Sequence, residues 1–232
     1  MSMAEIIASQ QYLTPKQLII TDQYGNIQPP QEEPPAHKKR KPRKLPKVLS
    51  KQQVEALFAE INVKCPTGLR NRALCETLYG CGLRVSEVCN LKPADVDKEN
   101  GYILVQEGKG GKDRYVPLDD KTTAWLERWE AIRPESEYFF CTLRGDKMGT
   151  EYIRQVLDRL SKRSGVYIQA GDKKKHVTPH MLRHTYASEL EEEGFAGSEI
   201  QELLGHSDLS TTSVYLHVRP QKLAAKIQAR ER

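Results

Sequence analysis

The sequence predicts a mainly α-helical fold with a small antiparallel β-sheet, an α+β class. Three observations carry that expectation. Apolar residues recur at helical spacing in segments spread over most of the chain. Two short strand-like runs flank a glycine-rich stretch and read as a β-hairpin. The segments show no βαβ alternation and no internal repeat.

Regular structure is expected to begin near Leu49. Ser50 and Gln53 have the capping-box form, and Val54, Leu57, Phe58 and Ile61 follow at helical spacing. A second helix is expected from about Gly68 to Tyr79, through Leu69, Ala73, Leu74 and Leu78, with a break at Gly80 and Gly82. A short helix through Val85, Val88 and Leu91 ends before Pro93. Residues 102–106 and 114–118 are the two hairpin strands, joined by the flexible turn 108–112. Helices resume after Asp119 (Trp125, Leu126, Trp129) and after Thr150 (Ile153, Val156, Leu157, Leu160). Tyr138, Phe139 and Phe140 read as a short third strand, and residues 173–176 as a basic loop. Thr178 and Pro179 are a strong helix start, N-cap and first position, for a helix running to Gly194. Another helix covers about 198–204 and stops at Gly205. Ser210 caps a short one through Tyr215, and Pro220 opens the last.

The 232 residues suffice to bury a sizeable core, and 29% charged against 38% hydrophobic residues describe a wet surface. The net charge of +5 is mildly basic and does not by itself identify a nucleic-acid partner. The five cysteines (65, 75, 81, 89 and 141) are odd in number and form no C-x-x-C pair. That speaks against a disulfide framework or a zinc ribbon and for a reducing compartment. No apolar run reaches membrane-spanning length, and the first ten residues lack a signal peptide's basic start and apolar core. A cytoplasmic location is expected, nucleoid-associated if the source is bacterial. Residues 1–48 read as a disordered arm with a basic end. A Pro/Gln/Glu stretch at 28–35 precedes Lys38, Lys39, Arg40, Lys41, Arg43, Lys44 and Lys47. The arm suits a phosphate-binding strap, a nuclear localisation signal or a solubilising tail, and composition does not choose among them.

Four segments carry candidate chemistry. Arg84 follows a glycine turn, with Glu87 three residues on. Lys109 lies at the hairpin tip. His180 and Arg183 share one face at the start of a helix. Gly205 and His206 are followed by Tyr215. Guanidinium groups grip phosphate oxygens in bidentate fashion, and cationic neighbours favour the phenolate of a tyrosine. Together the set suits a phosphoryl transition state. Each piece also has a plain structural reading. Arg84 and Glu87 could form a surface ion pair, Lys109 could be a solvated turn residue, and Tyr215 is one of ten tyrosines. His180 and His184 have zinc-ligand spacing, but no third ligand has a recognisable position, so no metal is expected.

In combination, the order Arg84, Lys109, His180-x-x-Arg183, Gly205-His206 and Tyr215 resembles the tyrosine recombinase family of phage-type integrases and Xer-like recombinases. The match extends roughly from Leu49 to Pro220. The resemblance implies a tyrosine-recombinase-like catalytic domain over residues 49–232. It implies that Arg84 and Arg183 clamp the scissile phosphate and that Lys109 protonates the leaving 5′ oxygen. His180 would position the phosphate and move the tyrosine proton. His206 would hydrogen-bond a non-bridging oxygen, and Tyr215 would be the nucleophile that forms a 3′-phosphotyrosine. Glu87 would brace the arginine, and His184 would be a packed structural histidine. No cofactor is needed, because the protein–DNA bond conserves the phosphodiester energy. The implied partner is double-stranded DNA, held by a homo-oligomer, a tetramer on DNA, with Lys173, Lys174, Lys175 and the basic arm as further contacts. Members of the family carry a helical clamp domain of about a hundred residues before the catalytic part, whereas only residues 1–48 precede it here. The alternatives are a DNA-binding or regulatory protein on the same fold, and a small type IB-like topoisomerase.

Overall fold

Three helices in this chain begin where Ser50, Asp119 or Thr178 satisfies a free backbone N–H. The computed structural model describes residues 48–106, 113–170, 173–205 and 225–230. Ser50 caps α1 (Lys51–Ala59): its hydroxyl accepts from the Gln53 N–H, and the Gln53 side chain accepts from the Ser50 N–H. α2 (Pro66–Gly80) starts on a proline, whose missing N–H would have no helical partner anyway. It is buried on most sides, through Leu69, Ala73, Leu74 and Leu78 but also Arg70, Glu76 and Thr77. Those polar groups are paired: Arg70 donates to the Cys141 carbonyl, Thr77 to the Ala73 carbonyl, and Glu76 accepts from Arg72. After a turn at Gly82 comes α3 (Val85–Asn90), then a 3₁₀ turn (Pro93–Asp95).

A three-stranded antiparallel sheet follows, in the order β1 (Val96–Asp97), β2 (Tyr102–Val105), β3 (Arg114–Pro117). Ile103 faces Val96 on one side and Val116 on the other. The hairpin expected from sequence is therefore present, but its third strand is β1 and not residues 138–140. Phe139 and Phe140 are both fully buried, so they do not alternate between two faces. Their backbone is engaged elsewhere: the Phe139 N–H donates to the Leu91 carbonyl, and the Phe139 carbonyl accepts from the Trp129 indole.

α4 (Asp120–Glu130) is capped by Asp119, which accepts from the Thr122 N–H, and packs along α2. α5 (Thr150–Ser164) ends at Gly165 in the left-handed conformation. β4 (Ile168–Ala170) and β5 (Lys173–Lys175) then form a second, two-stranded sheet. The lysine run is thus a strand, not a loop. Its backbone pairs with β4, and the Lys174 and Lys175 side chains remain exposed. α6 (Pro179–Glu192) has Thr178 as N-cap, accepting from the Met181 N–H, and α7 (Gly197–Leu204) follows.

The core has two parts. The larger joins α1 to α5 with the three-stranded sheet. The smaller holds Tyr186 and Leu190 from α6, Phe195 from the link that follows, and Leu203 and Leu204 from α7, with Ile227 from a helical turn at residues 225–228. Arg230 fixes that turn through Glu193 and Glu189. Among the described residues no helix is long and apolar enough to cross a membrane. The basic arm with Lys38, Lys39, Arg40, Lys41, Arg43 and Lys44, the hairpin turn 108–112, and the helices expected at Ser210–Tyr215 and after Pro220 lie outside the described residues.

Candidate active site

Two left-handed glycines set the entry and exit of the site. Gly82 has φ 59°, and a Cβ there would come within 2.4 Å of the Tyr186 ring. Only glycine lets the chain turn this close against α6. Arg84 follows as the N-cap residue of α3. Its backbone N–H donates to Glu87 Oε2, and its Nη1 donates to Glu87 Oε1, both at 2.7 Å. The pair is not a solvated surface bridge, since the Glu87 side chain is only 9% exposed.

A third residue completes it. Arg114, at the start of β3, grips both carboxylate oxygens of Glu87, Nη1 to Oε1 at 3.0 Å and Nη2 to Oε2 at 2.8 Å. Burial pushes the Glu87 carboxyl up, but the bonds from Arg114 and then Arg84 outweigh it and hold the pKa at about 2. Glu87 is therefore an anion throughout the neutral range.

α7 supplies the other anchor. The last carbonyls of a helix lack intrahelical partners and carry partial negative charge. Here Leu203 O accepts from Arg114 Nε at 2.9 Å, Leu204 O accepts from Arg183 Nη2, and Gly205 O accepts from Arg84 Nη2 at 2.9 Å. Successive carbonyls thus hold the three guanidiniums in place. Arg183 also donates to Gly82 O at 2.6 Å, which ties α6 to the turn before α3. Burial and the nearby Arg84 lower the Arg183 pKa to about 10, so it stays charged at neutral pH. Gly205 has φ 62°, and a Cβ there would lie 3.0 Å from Arg114 Nη1.

Three guanidiniums face one carboxylate, so the cluster keeps a positive surplus. Arg84, with 26% of its side chain exposed, is its open member. Planar donors held in this way match two oxygens of a phosphate. His180 lies one turn before Arg183 on α6 and is exposed. Its Nε2 is 3.0 Å from His184 Nε2, with the rings edge to face. The resemblance implied a packed structural histidine at position 184. It is half-buried against His180, because α6 turns Leu182, Arg183 and Tyr186 inward and leaves positions 180 and 184 stacked on its open side. One Nε2 carries the proton and the other accepts it. Burial, then His180 and Arg183, lower the His184 pKa and favour its neutral form.

The structure brings Arg84, Glu87 and Arg183 together and sets His180 on the same helix as Arg183. Lys109, His206 and Tyr215 lie outside the described residues, although β3 begins just after the first and Gly205 immediately precedes the second. Lys174 and Lys175 stand on β5, with Lys174 Nζ 5.8 Å from the centre of the Tyr167 ring. Among the described residues no group of three or more His, Cys, Asp or Glu side chains could hold a metal ion. Arg114 is the residue that reading the sequence missed. Its one local sign is that it is in phase with Val116 on the expected strand 114–118, which does not point to Glu87.

A model of the phage integrase family matches residues 47–222. The chain is 44% identical over 189 residues to the tyrosine recombinase XerA of Thermococcus kodakarensis, covering 78% of this chain and 62% of that relative's length. It superposes on a crystal structure of XerA recombinase with a TM-score of 0.60 at 31% identity, over 71% of this chain and 58% of the other. It also superposes on a XerH site-specific recombinase bound to palindromic difH substrate in a post-cleavage complex. There the TM-score is 0.59 at 28% identity, over 71% of this chain and 48% of the other. The chain spans less than two thirds of the length of these relatives. Since the family model covers most of the sequence and the fold superposes on members at these identities, the chain belongs to the phage integrase family, the tyrosine recombinases.

Proposed function

We propose that this chain cuts and rejoins double-stranded DNA at specific sites as a tyrosine recombinase. The observation that carries the proposal is the arginine pair, Arg84 and Arg183, held by Glu87 and by the end of α7 directly before His206. In this reading Arg84 and Arg183 take the non-bridging oxygens of the scissile phosphate, and His206 adds a hydrogen bond to one of them. The Tyr215 hydroxyl oxygen attacks phosphorus and forms a 3′-phosphotyrosine, and its proton passes to His180. The P–O5′ bond breaks, and Lys109 protonates the leaving oxygen. Rejoining runs the same steps in reverse, with a 5′ hydroxyl as nucleophile, so neither cofactor nor metal is required. Residues 49–232 form the catalytic domain, and residues 1–48 form a basic arm. The arm (Lys38, Lys39, Arg40, Lys41, Arg43, Lys44) and β5 (Lys173, Lys174, Lys175) bind the DNA backbone. The working assembly is a homo-tetramer on DNA, and the protein acts in the cytoplasm.

The test is covalent capture. The full chain is incubated with a pool of nicked synthetic duplexes of randomised sequence, and products are separated by denaturing electrophoresis. The expected result is a protein–DNA adduct that forms in EDTA and maps to Tyr215. In Tyr215→Phe the adduct should be absent while duplex binding persists. Adduct formation by that variant, or a requirement for Mg²⁺, would overturn the proposal.

A further inference from the structure

We propose that Arg114 is a positioning residue of this active site, holding Glu87 and the end of α7 so that Arg84 is set for the phosphate. The inference rests on the recombinase reading above.

All three side-chain nitrogens of Arg114 are engaged with protein. Its side chain is 9% exposed, and its donors go to Glu87 Oε1 and Oε2 and to the Leu203 carbonyl. Its importance lies in what those partners do. Arg84 has two side-chain anchors, Glu87 Oε1 and the Gly205 carbonyl. Arg114 bonds the first directly. It also packs against Gly205, since three of its atoms lie 3.0–3.1 Å from the position a Gly205 Cβ would take. Removing Arg114 therefore loosens both anchors of Arg84 without touching Arg84. Arg183 keeps its own pair, Gly82 O and Leu204 O. Arg114 also joins three segments distant in sequence: the start of α3, the hairpin strand that follows Lys109, and the end of α7 that leads to His206. One planar side chain thus couples α3, β3 and the end of α7. Lysine could not do the same, because a single ammonium cannot span both carboxylate oxygens and a carbonyl in fixed geometry.

The charged groups facing Glu87 are Arg84 from α3, Arg114 from β3 and Arg183 from α6. Without Arg114, the buried carboxylate loses its bidentate partner and protonates at higher pH. This gives a readout that loss of packing alone would not produce.

The test uses the full chain and the duplexes captured by the wild type, with Arg114→Ala and Arg114→Lys. Arg114→Ala is expected to bind those duplexes as tightly as wild type but to form the adduct about 100-fold more slowly, the scale of a misplaced catalytic group. The acid limb of its pH–rate profile should move to higher pH, and guanidinium at concentrations far below denaturing should restore part of the rate. If the alanine variant does not fold, Arg114→Lys carries the rate and pH readouts. The inference is overturned by adduct formation within about threefold of wild type, or by a rate loss that follows thermal unfolding with an unmoved acid limb. If the wild type itself forms no adduct, it is the recombinase reading that falls first, so the two failures are distinguishable.

Discussion

Arg84 and Arg183 are not free side chains waiting for an anion. Each is bonded to fixed protein oxygens before any phosphate arrives, so little reorganisation is left for the reaction itself. Lysine at either position would keep the charge but lose the fork that serves protein and phosphate together. Arg84→Lys and Arg183→Lys are each expected to slow adduct formation by about 10²–10³-fold, measured in single-turnover cleavage. The two should differ in stability. Arg183 is 5% exposed and holds two buried carbonyls, so its replacement should lower the melting temperature, whereas the more open Arg84 should tolerate the change. Glu87 gives a pH dependence with a definite sign. Its pKa falls from the ordinary 4.5 to about 2 on folding. Its contribution to stability is thus fully present above about pH 4.5 and is lost as the pH falls through about 2. In Glu87→Gln, acid unfolding measured between these values should be less steep than in the wild type.

Helix ends do more for this site than helix faces. Gly205 closes α7 in a conformation other residues rarely adopt, and the Arg114 guanidinium occupies the space a side chain would need. Gly205→Ala is therefore expected to destabilise the protein by about 1 kcal/mol or more. It should also slow adduct formation, because it pushes on Arg114 and on the carbonyl that holds Arg84. Thermal melts and cleavage rates on one preparation check both. Elements whose start is written in local chemistry were legible in the sequence: the Ser50 capping box, Asp119, and Thr178 with Pro179. The two misread segments depend on distant partners. Residues 138–140 have strand-like composition, but Leu91 and Trp129 take their backbone groups. Residues 173–175 have the charge of a loop, but Ile168–Ala170 offers a ladder. The candidate site was legible through its spaced Arg and His residues. Arg114 was not, because its role comes from meeting Glu87 across 27 positions of chain and Leu203 across 89.

At the scale of the molecule, charge is distributed unevenly. Seven of the 36 Lys and Arg residues fall between positions 38 and 47, immediately before Val48 in sequence, whereas the net charge of the whole chain is only +5. If this segment binds the DNA backbone, deleting residues 1–47 should weaken binding and flatten the slope of log K against log salt by about 0.9 for each phosphate that the arm no longer neutralises. Adduct formation at saturating protein should survive, since every proposed catalytic residue lies beyond the deletion. An unchanged slope would move the source of affinity to residues beyond 47, beginning with Lys173, Lys174 and Lys175. The smaller core binds the far end of the chain into the same region, with Ile227 fully buried between α6 and α7 and Arg230 paired to α6 and the residue just beyond it.

The carbonyls of Leu203, Leu204 and Gly205 also bear on how such a protein tolerates mutation. These residues give the site backbone oxygens, not side chains. Apolar exchange at Leu203 and Leu204 leaves the oxygens in place. Insertion or deletion of a single residue in α7 does not, because it rotates the helix end by about 100° and shifts it along its axis, detaching three arginines at once. A library of α7 scored for adduct formation should therefore show tolerance of apolar exchange at Leu203 and Leu204 beside near-complete intolerance of length change. At the end of this helix, the site depends on the spacing of the polypeptide more than on which apolar side chains it carries.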